Sequence, residues 1–230
     1  DRVVIETSGL AEAAPLADML HAEPSLAARY ALAGIVTTVD AVNAATTLDA
    51  HDTALRQVAL ADRIVVTKAD LLPSDVGAAA LDALTRRLSA LSPAADLRMA
   101  DGADAGNLLL DFPEPDASPA RPDPSDPVFR HHRHDTGRIR HTCLVRDEPF
   151  DPHTLQLFLE ALERAAGPNL LRVKGLVNVA GRPEGPAVLH GAQRLVDRLA
   201  WLDRWPGHDR RSRIVIITMD MPGDDILELL

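Results

Sequence analysis

Residues 64–70 read Ile64-Val65-Val66-Thr67-Lys68-Ala69-Asp70, and this stretch decides the fold of the first part of the chain. Three β-branched residues are followed at once by polar ones. A short β-branched run that ends in this way is typical of a buried strand in a parallel sheet. We therefore predict a strand that ends near Thr67 and leaves Lys68 and Asp70 in the turn beyond it.

Two further apolar runs precede this strand, and each ends in polar residues. Val3-Val4-Ile5 leads into Glu6-Thr7-Ser8-Gly9, and Ile35–Val39 leads into Asp40. Strands that alternate with helices predict a parallel sheet with helices on its faces. Ligands of such sheets bind beyond the carboxyl ends of the strands, where all three polar clusters fall.

Helical patterns separate the predicted strands. Ser74 is the predicted N-cap of a helix, and the leucines that follow it recur on one helical face: Leu81, Leu84, Leu88 and Leu91. Asp111–Pro127 contains six prolines and is predicted to be an exposed linker.

A second domain is predicted from about Arg138. Ile139–Val145 alternates like a strand, Asp151 is a predicted helix cap, and Ile214–Ile217 is a strongly β-branched run. The sequence thus predicts an α/β chain with a parallel sheet and flanking helices at residues 1–111, a linker rich in proline and histidine at 112–135, and a smaller α+β domain at 136–230.

Composition narrows the class of partner. The net charge of −10 disfavours nucleic acid and anionic membranes as partners. No run approaches the roughly 18 apolar residues of a membrane span. The single cysteine, Cys143, excludes an internal disulfide and fits a reducing compartment, so we predict a cytoplasmic protein.

Thr67-Lys68-Ala69-Asp70 resembles the guanine-recognition motif of GTPases. Guanine presents two adjacent donors, N1–H and its exocyclic amine, and an ionised aspartate can accept from both. Adenine instead presents an acceptor at N1. Taken alone, the same four residues are also compatible with an ordinary turn at the end of a strand.

Glu6-Thr7-Ser8-Gly9 supports the nucleotide interpretation. In P-loop enzymes an acidic residue at the end of a strand reaches Mg²⁺, often through water. A glycine three residues later can bring its backbone N–H to the terminal phosphate without obstruction. The alternative for this segment is a helix N-cap that follows a strand.

Together these segments resemble the CobW family of P-loop GTPases in order and spacing. The resemblance implies that the sheet at residues 1–111 is a partial P-loop sheet. The resemblance rests on 3–11, 36–41 and 57–71, and it continues with 148–151, 170–175 and 214–217. It implies GTP hydrolysis coupled to delivery of cobalt, zinc or nickel to a client metalloprotein. It also implies that GTP and Mg²⁺ are cofactors and that Zn²⁺ or Co²⁺ is the transferred metal.

Carried over by position, the resemblance assigns Glu6 to Mg²⁺ and the attacking water, and Gly9 to the γ-phosphate. Thr67, Lys68 and Asp70 fall on the guanine-binding positions. Thr67 stands where most GTPases have asparagine, so one amide contact is lost.

Two family motifs are absent from these 230 residues: the Gly-rich phosphate loop with its lysine, and Cys-x-Cys-Cys. We expect both before Asp1, in an N-terminal part that this sequence lacks. We predict that the 230 residues alone neither bind GTP tightly nor hydrolyse it. Two alternatives stay open: a non-catalytic metal-binding paralogue, and a metallocentre-assembly GTPase of another family.

His131, His132 and His134 form the one metal-like cluster in the sequence, with His141 nearby. Imidazole suits Zn²⁺, Co²⁺ and Ni²⁺, but a solvated basic patch has the same composition. Cys143 is predicted to be a small buried residue. Arg172-Val173-Lys174-Gly175 is predicted to be a structural strand edge with an exposed positive pair.

Overall fold

The computed structural model describes residues 2–9, 11–75, 77–100, 102, 105–112, 138–191, 199–221 and 223–229. The chain divides into two compact units, Asp1–Phe112 and Pro113–Leu230. No helix within the described ranges is long and apolar enough to cross a bilayer. The exact limits predicted for the linker, 112–135, fall almost entirely outside these ranges.

The first unit is built on a three-stranded parallel sheet of order β1-β2-β3, formed by Val36–Asp40, Arg63–Thr67 and Asp96–Met99. Its helices are α1 Ala14–Ala22, α2 Pro24–Ala27, α3 Ala44–Ala50, α4 Asp52–Leu60, α5 Gly77–Leu91 and α6 Ala105–Leu110. The strands predicted around Ile35–Val39 and Ile64–Val66 are confirmed. β2 is the central strand, and its first four residues are buried.

Helix α5 confirms the leucine pattern but begins later than predicted. Leu84, Leu88 and Leu91 are buried in it. Ser74 is not its N-cap, because the helix begins at Gly77 and a turn that contains Ser74 precedes it. In that turn the Gly77 amide donates to the Pro73 carbonyl at 2.6 Å.

The strand predicted at Val3–Ile5 is wrong. The three side chains are 68%, 62% and 70% exposed, and none of the described strands pairs with them. An apolar run becomes a strand only when a neighbour satisfies its backbone N–H and C=O groups. Within the described residues β1 pairs with β2 alone.

Arg63 fixes the amino-terminal edge of this sheet. Its guanidinium donates to Asp96 Oδ2 at 3.0 Å and to three main-chain carbonyls of the α6 region, those of Asn107, Leu108 and Asp111, at 3.0, 2.9 and 2.6 Å. The end of a helix leaves carbonyls without intrahelical partners, and Arg63 supplies donors to this group. The 3% exposure of Arg63 therefore reflects a paired charge.

The second unit is a five-stranded antiparallel sheet of order β4-β8-β5-β6-β7. Its strands are Ile139–Arg146, Leu170–Val177, Ala187–Gly191, Ala200–Trp201 and Ser212–Met219, numbered β4 to β8 along the chain. Its helices are α7, Pro152–Ala166, and the short α8, Gly223–Leu227. Together with the parallel first sheet, this confirms the predicted α/β chain with a smaller α+β domain.

Helix α7 confirms the predicted cap at Asp151. The Asp151 carboxylate accepts from the amides of His153 and Thr154 at 2.9 and 3.2 Å. Proline at the first helical position costs nothing there because that N–H has no intrahelical partner. The buried face of α7 packs on the sheet through Leu155, Phe158, Leu159 and Leu162.

The prediction of a strand edge with an exposed positive pair at Arg172–Gly175 is wrong. Strand β5 lies between β8 and β6, and Arg172 is only 3% exposed. Lys174 is half-buried. A Cβ on Gly175 would lie 2.2 Å from the Arg213 carbonyl oxygen of β8, so glycine is required by the close approach of two backbones. Strand order depends on contacts between distant segments, which the local sequence does not show.

Candidate functional site

The parallel register brings the carboxyl ends of β1 and β2 together. Asp40 pairs with Thr67, and the Ala41 amide donates to the Thr67 carbonyl at 2.9 Å. The Thr67 hydroxyl donates to the Val39 carbonyl at 3.3 Å, so it ties the same two strands. This edge is where ligands of parallel sheets bind.

Lys68 leaves β2 in an unusual backbone conformation. Its φ is 59°, in the left-handed region that residues other than glycine enter at a cost of about 1–2 kcal/mol. Such outliers persist when the surroundings fix them, and they cluster at functional sites. The turn aims Lys68 back toward β1.

The Lys68 ammonium donates to Asp40 Oδ2 at 2.7 Å. The two residues lie 28 positions apart, and sequence reasoning gave Asp40 no role beyond the end of a strand. The signal that could have found it is the parallel pairing of two strands that both end in charged residues. Lys68 and Asp40 side chains are 54% and 26% exposed.

Asp40 has other donors besides Lys68. The Val42 and Asn43 amides donate to its Oδ1 at 2.9 and 3.4 Å, and Asn43 Nδ2 donates to its Oδ2 at 3.0 Å. The Lys68 hydrogen bond, followed by that of Asn43, holds the pKa of Asp40 well below its usual value. Asp40 is thus a carboxylate at neutral and mildly acidic pH.

Asp70 contrasts with Asp40. It lies in the 3₁₀ turn Ala69–Leu71, directly beyond Lys68, and is exposed. Within the described ranges its carboxylate makes no hydrogen bond and no ion pair. An exposed carboxylate that is not engaged by other groups can accept from both guanine donors.

Glu6 and Gly9 lie in the segment that precedes α1. Glu6 is exposed, and its carboxylate has no hydrogen-bond partner among the residues described. Gly9 belongs to a turn that the Ala11 amide closes on the Ser8 carbonyl at 2.9 Å. Gln57 of α4 holds this turn by donating from Nε2 to the carbonyls of Gly9 and Ala11 at 3.2 and 2.8 Å.

The structure therefore brings Thr67 and Lys68 together with Asp40, and it places Asp70 beside them. It shows no hydrogen bond or ion pair between Glu6 or Gly9 and this group within the described residues. That Glu6 and Asp70 face one shared crevice stays a prediction.

The histidine cluster, His131, His132 and His134, lies outside the described residues. Among the residues that are described, no three histidine, cysteine, aspartate or glutamate side chains meet in a metal-binding arrangement. Cys143 is half-buried in β4, and burial raises the pKa of its thiol. His141 is buried in the same strand.

Two protein-family profiles match the chain. "CobW/HypB/UreG, nucleotide-binding domain" matches residues 1–97, and "Cobalamin synthesis protein cobW C-terminal domain" matches residues 139–230. The zinc chaperone YjiA of Escherichia coli (strain K12) is 27% identical over 226 residues, which cover 98% of this chain and 69% of that protein. Zinc-regulated GTPase metalloprotein activator 1 of Schizosaccharomyces pombe is 37% identical over 76 residues, 33% of this chain and 18% of that protein.

The fold is also similar to a solved structure. The crystal structure of Zn(II)-bound YjiA GTPase from E. coli superposes with a TM-score of 0.76 at 26% identity, covering 96% of this chain and 67% of that one. Both domain matches occur in this chain, and one relative aligns along nearly all of it. The resemblance inferred from the motifs is thus confirmed, and the chain belongs to the CobW family of P-loop GTPases.

Proposed function

We propose that this protein is a GTP-dependent metal chaperone that binds guanine nucleotide at the carboxyl edge of its parallel sheet. The observation that carries the proposal is the pair of side chains beyond β2. Lys68 is held in place by Asp40 at 2.7 Å, whereas the neighbouring Asp70 carboxylate is exposed and unengaged among the described residues. The Lys68 ammonium is a fixed cation and the Asp70 carboxylate is an available acceptor, and together they suit the recognition of guanine.

The chemistry of Asp70 makes the site selective. Its carboxylate can accept from guanine N1–H and from the exocyclic amine. Adenine would place an acceptor against the same carboxylate and leave it without a donor. We therefore assign Asp70 to the base, with the Lys68 stem lying along the nucleotide and Thr67 supporting the turn.

Glu6 and Gly9 are proposed to serve the phosphate end. An exposed carboxylate supplies the oxygen donor that Mg²⁺ prefers, so Glu6 fits the metal and would orient the attacking water through it. A Cβ on Gly9 would meet nothing within 4 Å among the described residues, and its φ is not in the left-handed region. We therefore propose that a phosphate approaches the Gly9 backbone N–H, as the open space and the lack of a side chain allow.

The transferred metal is proposed to be Zn²⁺, with Co²⁺ as the second candidate. The support for zinc is that two relatives are a zinc chaperone and a zinc-regulated GTPase metalloprotein activator. His131, His132 and His134 are the residues of this sequence that we propose as weak donors, and a client metalloprotein would receive the ion. The proposal places the protein in the cytoplasm.

The alternative is a metal-binding paralogue without GTP turnover. It draws on the sequence itself, because these 230 residues contain no Gly-rich phosphate loop. Backbone amides of such a loop supply most contacts to the phosphates. We expect the 230-residue chain alone to show no measurable GTP hydrolysis, and turnover by it would contradict that expectation.

The proposed test is a substitution that should change the base specificity from guanine to xanthine. In the complete product of the gene, Asp70→Asn should weaken GTP binding roughly a hundredfold, because two hydrogen bonds to a charged acceptor are lost at about 1.5 kcal/mol each. The same variant should gain affinity for xanthosine triphosphate, since xanthine presents a carbonyl where guanine has its amine and the new amide can donate to it.

Asp75→Asn is the matched control, because Asp75 is an exposed aspartate five residues farther along the chain. It should leave both affinities unchanged. Equal binding of GTP and ATP by the unsubstituted protein would refute guanine recognition. A loss of GTP binding with no gain for xanthosine triphosphate would refute the role assigned to Asp70. GTP binding with no hydrolysis would favour the paralogue.

A further inference from the structure

We propose that Asp40 is a positioning residue of the guanine subsite, which acts by holding the Lys68 ammonium away from Asp70. The inference rests on the proposed function, because it names a new residue for the same site. It assigns different tasks to two aspartates at one edge of the sheet. Asp70 binds the guanine base, and Asp40 positions Lys68 of the same motif.

Asp40 is saturated and has no capacity left for a ligand. A carboxylate offers about four acceptor positions. Lys68 Nζ and Asn43 Nδ2 occupy Oδ2, and the amides of Val42 and Asn43 occupy Oδ1. Contact with a nucleotide or with Mg²⁺ would require one of these bonds to break. Asp40 can therefore influence the site only through its partners.

Lys68 is fixed at both ends. Its backbone is held at a φ of 59°, and its ammonium is held by Asp40 at 2.7 Å. The aliphatic stem must then span from the end of β2 to the end of β1, whose register pairs Asp40 with Thr67. A stem pinned in this way offers a fixed apolar surface, and less side-chain entropy is lost when a base packs on it.

The Asp40–Lys68 ion pair also prevents Lys68 from forming an ion pair with Asp70. Asp70 follows Lys68 by two residues and lies in the 3₁₀ turn that begins directly after it. An ammonium without Asp40 would be free to pair with the Asp70 carboxylate, and it would then compete with guanine for the same oxygens. Asp40 is thus expected to improve guanine binding only while Lys68 is present.

The first measurement uses the two lysines of the 230-residue chain, Lys68 and Lys174. Labelling lysine with ¹⁵N gives two side-chain signals, and Lys174, in the second unit, is the internal reference. Asp40→Asn should shift the Lys68 signal and leave that of Lys174 in place. Asp49→Asn is the control, because it removes another ion pair of the same unit, with Arg87 at 2.6 Å. An unmoved Lys68 signal in Asp40→Asn would overturn the proposal.

The second measurement is GTP affinity in the complete gene product. Asn at position 40 can still accept the Val42 and Asn43 amides, so Asp40→Asn spares the turn and removes the charge. We expect roughly fivefold weaker GTP binding, the upper limit for a solvent-screened ion pair, because the Lys68 side chain is 54% exposed. Asp49→Asn should bind GTP as the unsubstituted protein does.

A double-mutant cycle separates positioning from a structural effect. In the Lys68→Met background, Asp40→Asn should cause no further loss of GTP affinity, because Asp40 acts through the ammonium. Additive losses would mean that Asp40 only maintains the fold, and they would overturn the inference. Failure of the unsubstituted protein to bind GTP would remove the proposed function as well, whereas normal GTP binding by Asp40→Asn would remove the positioning role alone.

Discussion

Replacing Gly175 with alanine tests the tightest backbone contact in the second unit. A Cβ at this position would lie 2.2 Å from the Arg213 carbonyl oxygen and 2.8 Å from the Ile214 Cα. Ordinary contact begins at 3.4 Å, so the deficit toward the oxygen is about 1.2 Å. Both neighbours are main-chain atoms, and no rotamer change can relieve the clash.

The loss of stability depends on which parts of the backbone must move to relieve the clash. Strands β5 and β8 would have to separate near the Leu176–Arg213 end of their ladder, next to Val173, Ile214 and Ile216, which are all fully buried. Overpacking of a close-packed core costs about 1–3 kcal/mol, and a clash between two backbones belongs at the upper end of that range. We therefore expect Gly175→Ala to lower the free energy of unfolding of the second unit by about 3 kcal/mol.

Urea unfolding followed by tryptophan fluorescence measures this change, because both tryptophans, Trp201 and Trp205, lie in the second unit. With a slope of about 2 kcal/mol per molar urea, the midpoint should fall by about 1.5 M. Gly181→Ala is the matched control: its φ is +84°, and a Cβ there meets nothing within 4 Å, so only a backbone cost of about 1 kcal/mol is expected. A midpoint for Gly175→Ala no lower than that of Gly181→Ala would refute the steric argument.

Three further predictions concern other parts of the chain. Arg63→Lys should destabilise the first unit by about 3 kcal/mol, because a lysine ammonium cannot replace a buried guanidinium that makes four hydrogen bonds. Hydrogen exchange of the β2 amides measures this loss, and unchanged exchange rates would contradict the prediction. Hydrogen bonding to Arg211 lowers the pKa of Asp209 to about 2, so its stabilising effect is present above the ordinary value of 3.8 and is lost as the pH falls toward 2. The melting-temperature deficit of Asp209→Asn should therefore be larger at pH 6 than at pH 3, and a deficit that is constant with pH would argue against the ion pair. Burial raises the pKa of the Cys143 thiol, so iodoacetamide at pH 8 should alkylate Cys143 at least about tenfold more slowly in the folded chain than in the urea-unfolded chain. Mass spectrometry measures both rates, and equal rates would contradict the burial of Cys143.

Local signals in the sequence predicted local structure well. Ile64–Val66 predicted β2 because β-branched residues favour extended backbone and fit a buried strand. Asp151 predicted the start of α7 because its carboxylate can reach the amides of the next turn without help from the rest of the chain. The family was confirmed for a related reason: its motifs are short blocks whose residue types and order can be read directly from the sequence.

Non-local contacts account for the failures. Val3–Ile5 has the composition of a strand, yet no described strand lies beside it to accept its hydrogen bonds. Arg172 was placed at an edge, although β5 turned out to lie between two strands that come from later parts of the chain. In both cases the apolar pattern was interpreted correctly, but the strands that would pair with each segment come from distant parts of the chain.

The candidate site shows the same division. The sequence by itself determined the residue types at the nucleotide edge, including Lys68 and Asp70, because the chemistry of a carboxylate and an ammonium does not depend on the fold. Only the tertiary structure decided that Asp40 is saturated by its donors and that Asp70 is unengaged among the described residues. The reason is physical: Asp40 and Lys68 meet at 2.7 Å across 28 positions because two parallel strands end side by side, and pairing between strands is a property of the folded chain.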